Sequence, residues 1–249
     1  MRIQPPAHVD LPTASGPMRT HLFRPLGDQH ASFPGVVLYS EIYQMTAPIA
    51  RTAATIAGKG FLVAVPEVYH EFEPAGTVLA YDKVGTDRGN ELKITKPLGH
   101  YDADARAVVE FLSTEAGCTG NVGAVGICLG GHLAFRAAIL PQVMACVCLY
   151  ATDIHKRSLA AGMNDDTLDR MQEIKSEMLM IWGRQDPHIP NEGRRMIYDA
   201  MTAANVNFTW HEFNGEHAFI RDEGHRFDPS LAGLVHTLID ELFNRCLKR

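Results

Sequence analysis

One cysteine of the sequence lies in a glycine-rich turn whose residue types suit nucleophilic chemistry. Residues 126–131 read Gly-Ile-Cys-Leu-Gly-Gly, after an apolar run at 122–125 and before apolar residues at helical spacing that end at Pro141. Glycines beside Cys128 let a strand and a helix approach closely and tolerate a strained backbone. Unpaired N–H groups at a helix start favour a thiolate. We therefore interpret Cys128 as a nucleophile, against the alternative of a buried, inert cysteine.

An acid and a histidine follow two later apolar runs. Asp186 comes just after residues 178–183, and His217 comes just after residues 208–213. His217 could take the thiol proton and later protonate a leaving group, while Asp186 fixes its tautomer. The alternative for Asp186 is a turn cap before Pro187. Other histidines nearby are His188, His211, His225 and His236, but none follows a strand end and a glycine as His217 does.

Strands and helices must bring these residues to one place. Apolar runs predict strands at 18–23, 35–39, 61–66, 122–125, 145–150, 178–183 and 208–213. Helical spacing predicts helices at 49–58, 102–112, 133–140, 191–204 and 230–247. Strands that alternate with helices indicate an α/β fold with a doubly wound, mostly parallel sheet, whose chemistry lies at the carboxyl ends of the strands. The first thirty residues are expected to form an edge hairpin.

The segment of about 67–99 is the least regular part of the chain. It combines charged residues and glycines with Pro74 and Pro97. Long irregular segments in a compact domain usually carry function or cover a site. We therefore expect a lid in this segment.

Composition narrows the class of protein. A chain of 249 residues with 46% hydrophobic residues can form one α/β domain over residues 1–249. Its formal net charge of −6 argues against nucleic-acid binding, and it has no apolar run of signal-peptide or membrane-spanning length. The five cysteines are an odd number without a C-x-x-C pair, which indicates reduced thiols in the cytoplasm. His211-Glu212 does not extend to H-E-x-x-H, so we expect no metal and no cofactor.

These motifs together resemble the dienelactone hydrolase family of α/β-hydrolases, from about residue 33 to the C-terminus. The turn around Cys128 is a nucleophile elbow with cysteine in place of serine, and the order nucleophile, acid, histidine is that of this fold. The other segments that carry the resemblance are 40–43, 66–69, 183–186 and 217–221. It implies the α/β-hydrolase fold, with helices on both faces of the sheet, and hydrolysis of an ester or lactone.

The resemblance also implies roles for residues outside the triad. Glu41 would take the thiol proton when substrate displaces it from Arg221. The backbone N–H groups of Ile42 and Leu129 would form an oxyanion hole, where fixed donors need little reorganisation. The alternatives are a solvated loop residue for Glu41 and a weak surface ion pair for Arg221.

The segment at 67–99 departs from family members that act on dienelactones. Those members hold the substrate carboxylate with a further arginine and aromatic residues, for which Arg88 and Tyr81 are the candidates here. We interpret the chain as a cysteine-dependent hydrolase of a small ester or lactone. The substrate could carry a carboxylate, which Arg221 would bind. The rivals are a small-molecule receptor on the same fold and an esterase or thioesterase with a different substrate.

Overall fold

An eight-stranded sheet forms the centre of the protein. The computed structural model describes residues 1–27 and 31–248. Its strands are β1 Ala7–Thr13, β2 Gly16–Phe23, β3 Phe33–Tyr39, β4 Leu62–Pro66, β5 Cys118–Ile127, β6 Val143–Leu149, β7 Glu177–Gly183 and β8 Phe208–Phe213. Their order across the sheet is β1-β2-β4-β3-β5-β6-β7-β8.

The sheet is mostly parallel, as the alternating pattern predicted. Strands β4, β3, β5, β6, β7 and β8 pair in parallel, so their carboxyl ends meet at one edge. The exceptions are the β1–β2 hairpin, which is antiparallel, and β2, which runs antiparallel to β4. The predicted edge hairpin is therefore confirmed.

Six α-helices cover the sheet within the described residues. They are α1 Ala47–Gly58, α2 Lys83–Thr95, α3 Leu98–Thr114, α4 Leu129–Ala137, α5 Asn191–Ala203 and α6 Pro229–Leu247. On β5, a Cβ at Gly123 would point at Leu247 and Phe243 of α6, whereas a Cβ at Gly126 would point at Gly130 of α4. Positions three apart on a strand face opposite ways, so helices lie on both faces of the sheet. None of these helices combines the length and apolar character needed to cross a membrane.

Helix α2 corrects the expectation of an irregular segment at 67–99. Asp82 caps this helix by accepting a hydrogen bond from the backbone N–H of Gly85 at 2.8 Å. Its interior glycines, which disfavour helix by propensity, are needed for packing. A Cβ at Gly89 would lie 2.6 Å from the carbonyl oxygen of Ile42. Long-range packing therefore overrides local propensity in this segment.

Candidate active site

The turn between β5 and α4 holds Cys128 in a strained backbone conformation. Cys128 has φ 61° and ψ −120°, a region that costs a non-glycine residue about 1–3 kcal/mol. The neighbouring glycines make the turn sterically feasible. A Cβ at Gly126 would lie 1.8 Å from the carbonyl oxygen of Gly130, and one at Gly130 would lie 2.2 Å from that of Tyr39. The N–H of Cys128 donates to the Leu149 carbonyl at 3.0 Å, which ties the turn to β6.

Asp186 and His217 come together at the same edge of the sheet. His217 Nδ1 lies 2.6 Å from Asp186 Oδ2, and both side chains are buried. The other carboxylate oxygen of Asp186 accepts the backbone N–H of His188 at 2.8 Å. Because Nδ1 donates to the carboxylate, the other ring nitrogen of His217 remains available to Cys128, whose sulfur acts electrostatically on the ring.

The electrostatics of His217 favour the imidazolium. Burial opposes protonation of the ring, but the negative charge of a Cys128 thiolate and the hydrogen bond to Asp186 outweigh it. Together they raise the pKa of His217 to about 10. The arrangement therefore suits a thiolate–imidazolium pair, which is the reactive form of a cysteine nucleophile.

Glu41 is a buried carboxyl group beside this pair. It is 2% exposed, and burial raises its pKa, although Arg221, Tyr81 and His217 counteract that effect. Tyr81 Oη donates to Glu41 Oε2 at 2.8 Å, and Arg221 Nη1 lies 3.6 Å from Oε1. The Arg221 guanidinium also lies over the Tyr81 ring, 4.3 Å from its centroid. Tyr81 Oη lies 2.8 Å from Thr46 Oγ1 as well, so Tyr81 is held from two sides.

A pocket of about 640 Å³ opens onto these groups. Six of the residues singled out in the sequence line it: Glu41, Ile42, Tyr81, Cys128, His217 and Arg221. Asp186 lies behind His217, to which it is bonded. Leu129 is the first residue of α4, where a helix leaves its N–H without an intrahelical acceptor. Ile42 lines the pocket and Leu129 directly follows Cys128, so both backbone N–H groups remain candidates for an oxyanion hole.

Arg88 is the predicted substrate-binding residue that the fold does not bring into the pocket. Its guanidinium pairs with Glu73 at 2.7 Å and with Glu91 at 2.9 Å, and it is not among the residues that line the cavity. Glu73 lies in the segment before α2, and Glu91 lies on α2 itself. The sequence pattern did not indicate this helix. Two carboxylates therefore hold Arg88 outside the pocket lining.

Three other cationic residues line the pocket: Lys93, Lys156 and Arg226. Lys93 is 3.0 Å from Asp153, and Arg226 is 3.4 Å from Glu216. Lys156 also lines the pocket and has no salt-bridge partner within the described part of the chain. Sequence reasoning missed these three residues, because no spacing signal connects them to the triad. His188, considered above only as a rival histidine, packs edge-on against His217 with 4.7 Å between ring centroids.

A separate cluster has the residue types of a metal site. Ligand atoms of His70, Glu71 and Asp104 lie within 4.8 Å of one another. However, Lys96 Nζ lies 2.6 Å from Glu71 Oε1 and 2.6 Å from Asp104 Oδ2. Since this buried ammonium supplies the countercharge that a cation would supply, we assign no metal to the cluster.

Comparisons with known proteins identify the family of the chain. A sequence model of the dienelactone hydrolase family matches residues 18–247. A Saccharomyces cerevisiae protein provisionally named carboxymethylenebutenolidase is 41% identical, over 96% of this chain and 91% of its own. The carboxymethylenebutenolidase of Pseudomonas putida is 25% identical over 83% of each chain.

Solved structures show the same fold. A Klebsiella pneumoniae protein provisionally described as a dienelactone hydrolase superposes with a TM-score of 0.84 at 20% identity, over 98% of this chain and 99% of that one. With a family match over nearly the whole sequence and a relative of this identity, the chain belongs to the dienelactone hydrolase family of α/β-hydrolases.

Proposed function

We propose that this hydrolase opens a small carboxylate-bearing ester or lactone through an acyl-enzyme on Cys128. The observation that carries the proposal is the 2.6 Å contact between His217 and Asp186, with Cys128 lining the same pocket as the imidazole. A nucleophile, a base and a group that orients the base form the unit that acyl transfer requires. Their common pocket has room for a small molecule.

Acylation begins with attack of the Cys128 thiolate on the substrate carbonyl. The C–S bond forms, and the carbonyl π electrons move to oxygen, where the N–H groups of Ile42 and Leu129 donate to the oxyanion. When the intermediate collapses, the C–O bond of the ester breaks. The leaving oxygen takes the proton of His217, and in a lactone it stays tethered to the acyl group.

Deacylation regenerates the thiolate and the imidazolium. His217, now neutral, removes a proton from water, and the hydroxide attacks the thioester carbonyl. Collapse of this second intermediate breaks the C–S bond, releases the carboxylic acid and restores the thiolate beside the imidazolium. Asp186 stabilises the imidazolium in both halves through its short contact with Nδ1.

Glu41 would act on the resting thiol. A substrate carboxylate that binds Arg221 competes for the cation paired with Glu41. The released carboxylate is buried and has a raised pKa, so it is a better base than an exposed glutamate and can accept the Cys128 proton. After product release Glu41 returns this proton to the thiolate and pairs with Arg221 again, which restores the resting thiol.

The charges of the pocket support a substrate with a carboxylate. Arginine binds carboxylates in a bidentate fork, and Arg221 borders the pocket beside Cys128. Lys156 is the better candidate for a second cation than Arg88, because it lines the pocket without an ion-pair partner there. The relatives named carboxymethylenebutenolidase accord with this substrate class.

Mass spectrometry of the intact protein tests the proposal. Rapid quenching during turnover of an aryl ester should show one added acyl group, mapped to the peptide that contains Cys128. Limited alkylation should also modify Cys128 before Cys118, and activity should fall in proportion. Cys118→Ala is the control and should behave as wild type. Acylation or full activity in Cys128→Ala would contradict the assignment.

A further inference from the structure

Thr46 directly precedes α1, at the position where a threonine side chain normally caps a helix. Such a side chain usually accepts a hydrogen bond from the second or third N–H of the helix. The second residue of α1 is Pro48, which has no N–H, and the Thr46 side chain makes no capping bond. Thr46 is nevertheless only 5% exposed. Capping of α1 therefore does not account for this buried hydroxyl.

The Thr46 hydroxyl contacts the Tyr81 hydroxyl instead. The two oxygens lie 2.8 Å apart, and Tyr81 Oη also donates to Glu41 Oε2 at 2.8 Å. Glu41 follows β3, Thr46 precedes α1, and Tyr81 precedes α2. Side chains from three segments thus form one hydrogen-bonded chain that ends at the carboxyl group beside the nucleophile.

The number of available protons determines the direction of each bond in this chain. An ionised carboxylate can only accept, and a phenol has a single proton to donate. Burial raises the pKa of Tyr81, and the charge of Glu41 raises it further, so the phenol keeps its proton. Because that proton is donated to Glu41, the hydroxyl of Thr46 must be the donor to Tyr81 Oη.

We propose that Thr46 is a positioning residue that acts on Glu41 through Tyr81. Its donated hydrogen bond fixes the Tyr81 hydroxyl and directs the single phenol proton to the carboxylate. Hydrogen bonds in a chain strengthen one another, and a bond donated to a carboxylate favours the ionised form. Thr46 thus helps to keep Glu41 ionised in spite of its burial. The catalytic consequence rests on the proposed function of Glu41.

Other groups also act on the titration of Glu41. Four titratable residues besides Tyr81 share a cavity or a charge interaction with it: Cys128, Tyr150, His217 and Arg221. Burial raises the pKa of Glu41, and of these groups Arg221 and His217 oppose that effect. A test must therefore remove the Thr46 hydroxyl alone and leave these neighbours in place.

Thr46→Val removes the hydroxyl and keeps the branched shape of the side chain, whereas Thr46→Ser keeps the hydroxyl. We expect the pKa of Glu41, measured by ¹³C-NMR and assigned with Glu41→Gln, to rise by roughly 0.3–1 unit in Thr46→Val. It should return to the wild-type value in Thr46→Ser. Thr55→Val in α1 is the matched control, because Thr55 is exposed and donates to the Arg51 carbonyl at 2.8 Å. If Thr46→Val does not fold, Thr46→Ala removes the same hydroxyl with a smaller side chain.

A double variant tests whether Thr46 acts through Tyr81. Tyr81→Phe removes the donor to Glu41 and should raise the Glu41 pKa more than Thr46→Val does. Adding Thr46→Val to Tyr81→Phe should then change nothing further, because the route from Thr46 to the carboxylate is already broken. Additive shifts in the double variant, or an unchanged Glu41 pKa in Thr46→Val, would overturn the role of Thr46.

The pH profile of kcat/KM separates this role from the proposed function of Glu41. A base must be deprotonated to act, so a raised Glu41 pKa should move the acid limb of the profile to higher pH in Thr46→Val, and Thr46→Ser should restore it. Full activity in Glu41→Gln, with an acid limb that no variant moves, would refute Glu41 as the base. The Glu41 pKa shift measured by NMR would still support the action of Thr46 through Tyr81.

Discussion

At the residue scale, the charge on Cys128 and the protonation of His217 depend on each other. Burial alone would lower the pKa of His217, and the sulfur charge is the largest of the effects that raise it. A raised pKa means that folding favours the imidazolium. The associated stability is present below pH 6.5, the usual pKa of histidine, and is lost as the pH rises through about 10.

Cys128→Ser should therefore change the titration of His217. Without the thiolate, we expect its pKa to fall by at least about one unit, as measured by NMR of the imidazole ring. The loss of stability towards pH 10 in denaturant titrations should flatten as well. Cys118→Ser should leave both measurements unchanged. An unaltered His217 pKa in Cys128→Ser would show that Asp186 alone sets the protonation state.

Arg221 and Arg88 offer a matched pair for testing substrate charge. Arg221 lines the pocket, whereas Arg88 is bound to Glu73 and Glu91 outside the lining. Arg221→Ala should lower kcat/KM for carboxylate-bearing esters by one to two orders of magnitude more than for neutral aryl esters, the equivalent of about 1.5–3 kcal/mol. Arg88→Ala should affect both ester classes equally. If Arg221→Ala lowered kcat/KM equally for carboxylate-bearing and neutral esters, the substrate would need no carboxylate.

At the element scale, α2 packs directly on the backbone of Ile42, one of the two proposed oxyanion donors. A Cβ at Gly89 would meet the Ile42 carbonyl oxygen at 2.6 Å and the Ile42 Cβ at 2.9 Å. Contacts that short require the helix or residues 41–43 to move. Packing of α2 against Ile42 therefore helps to fix the position of the Ile42 N–H.

Gly89→Ala should reduce catalysis by displacing that donor. We expect kcat to fall by about tenfold, since shifts below 1 Å at a reacting centre have effects of this order. KM should change less than kcat. Gly99→Ala in α3 is the control, because a Cβ there meets no atom within 4 Å. It should keep full activity and gain up to about 1 kcal/mol of stability. Unimpaired turnover in Gly89→Ala would mean that Ile42 does not serve as a donor.

At the scale of the whole molecule, a buried ion cluster fastens the segment after β4 to α2 and α3. Lys96 is fully buried and contacts Asp104, Glu71 and the carbonyl of Val68, which its Nζ reaches at 2.8 Å. His70 Nε2 lies 3.2 Å from the same Asp104. Removing one partner from such a cluster leaves the others as uncompensated buried charges.

Lys96→Met should consequently be strongly destabilising. We expect the free energy of unfolding to fall by about 3–5 kcal/mol in denaturant titrations at neutral pH. Lys83→Met is the control, since the Lys83–Asp87 pair is exposed and should contribute less than about 1 kcal/mol. A small effect of Lys96→Met would show that methionine packing compensates for the lost cation.

Segments with strong local signals agree with the fold. The apolar runs at 35–39 and 178–183 lie within β3 and β7, and the helical stripe at 102–112 lies within α3, which begins earlier, at Leu98. Helix α2 was missed because its interior glycines and charges resemble a loop. The close backbone of Ala80 explains why glycine is required at position 85, and that of Ile42 explains it at position 89.

The sequence by itself determined the parallel sheet, the elbow and the order of Cys128, Asp186 and His217. Those features depend on local periodicity and on the rule that parallel strands end at one edge, and both can be recognised without coordinates. The tertiary structure alone decided that Tyr81 donates to Glu41, that Lys156 lines the pocket and that Arg88 does not. A long polar side chain can reach several partners from one backbone position. Its choice depends on packing between segments far apart in the chain, which residue types and spacing do not specify.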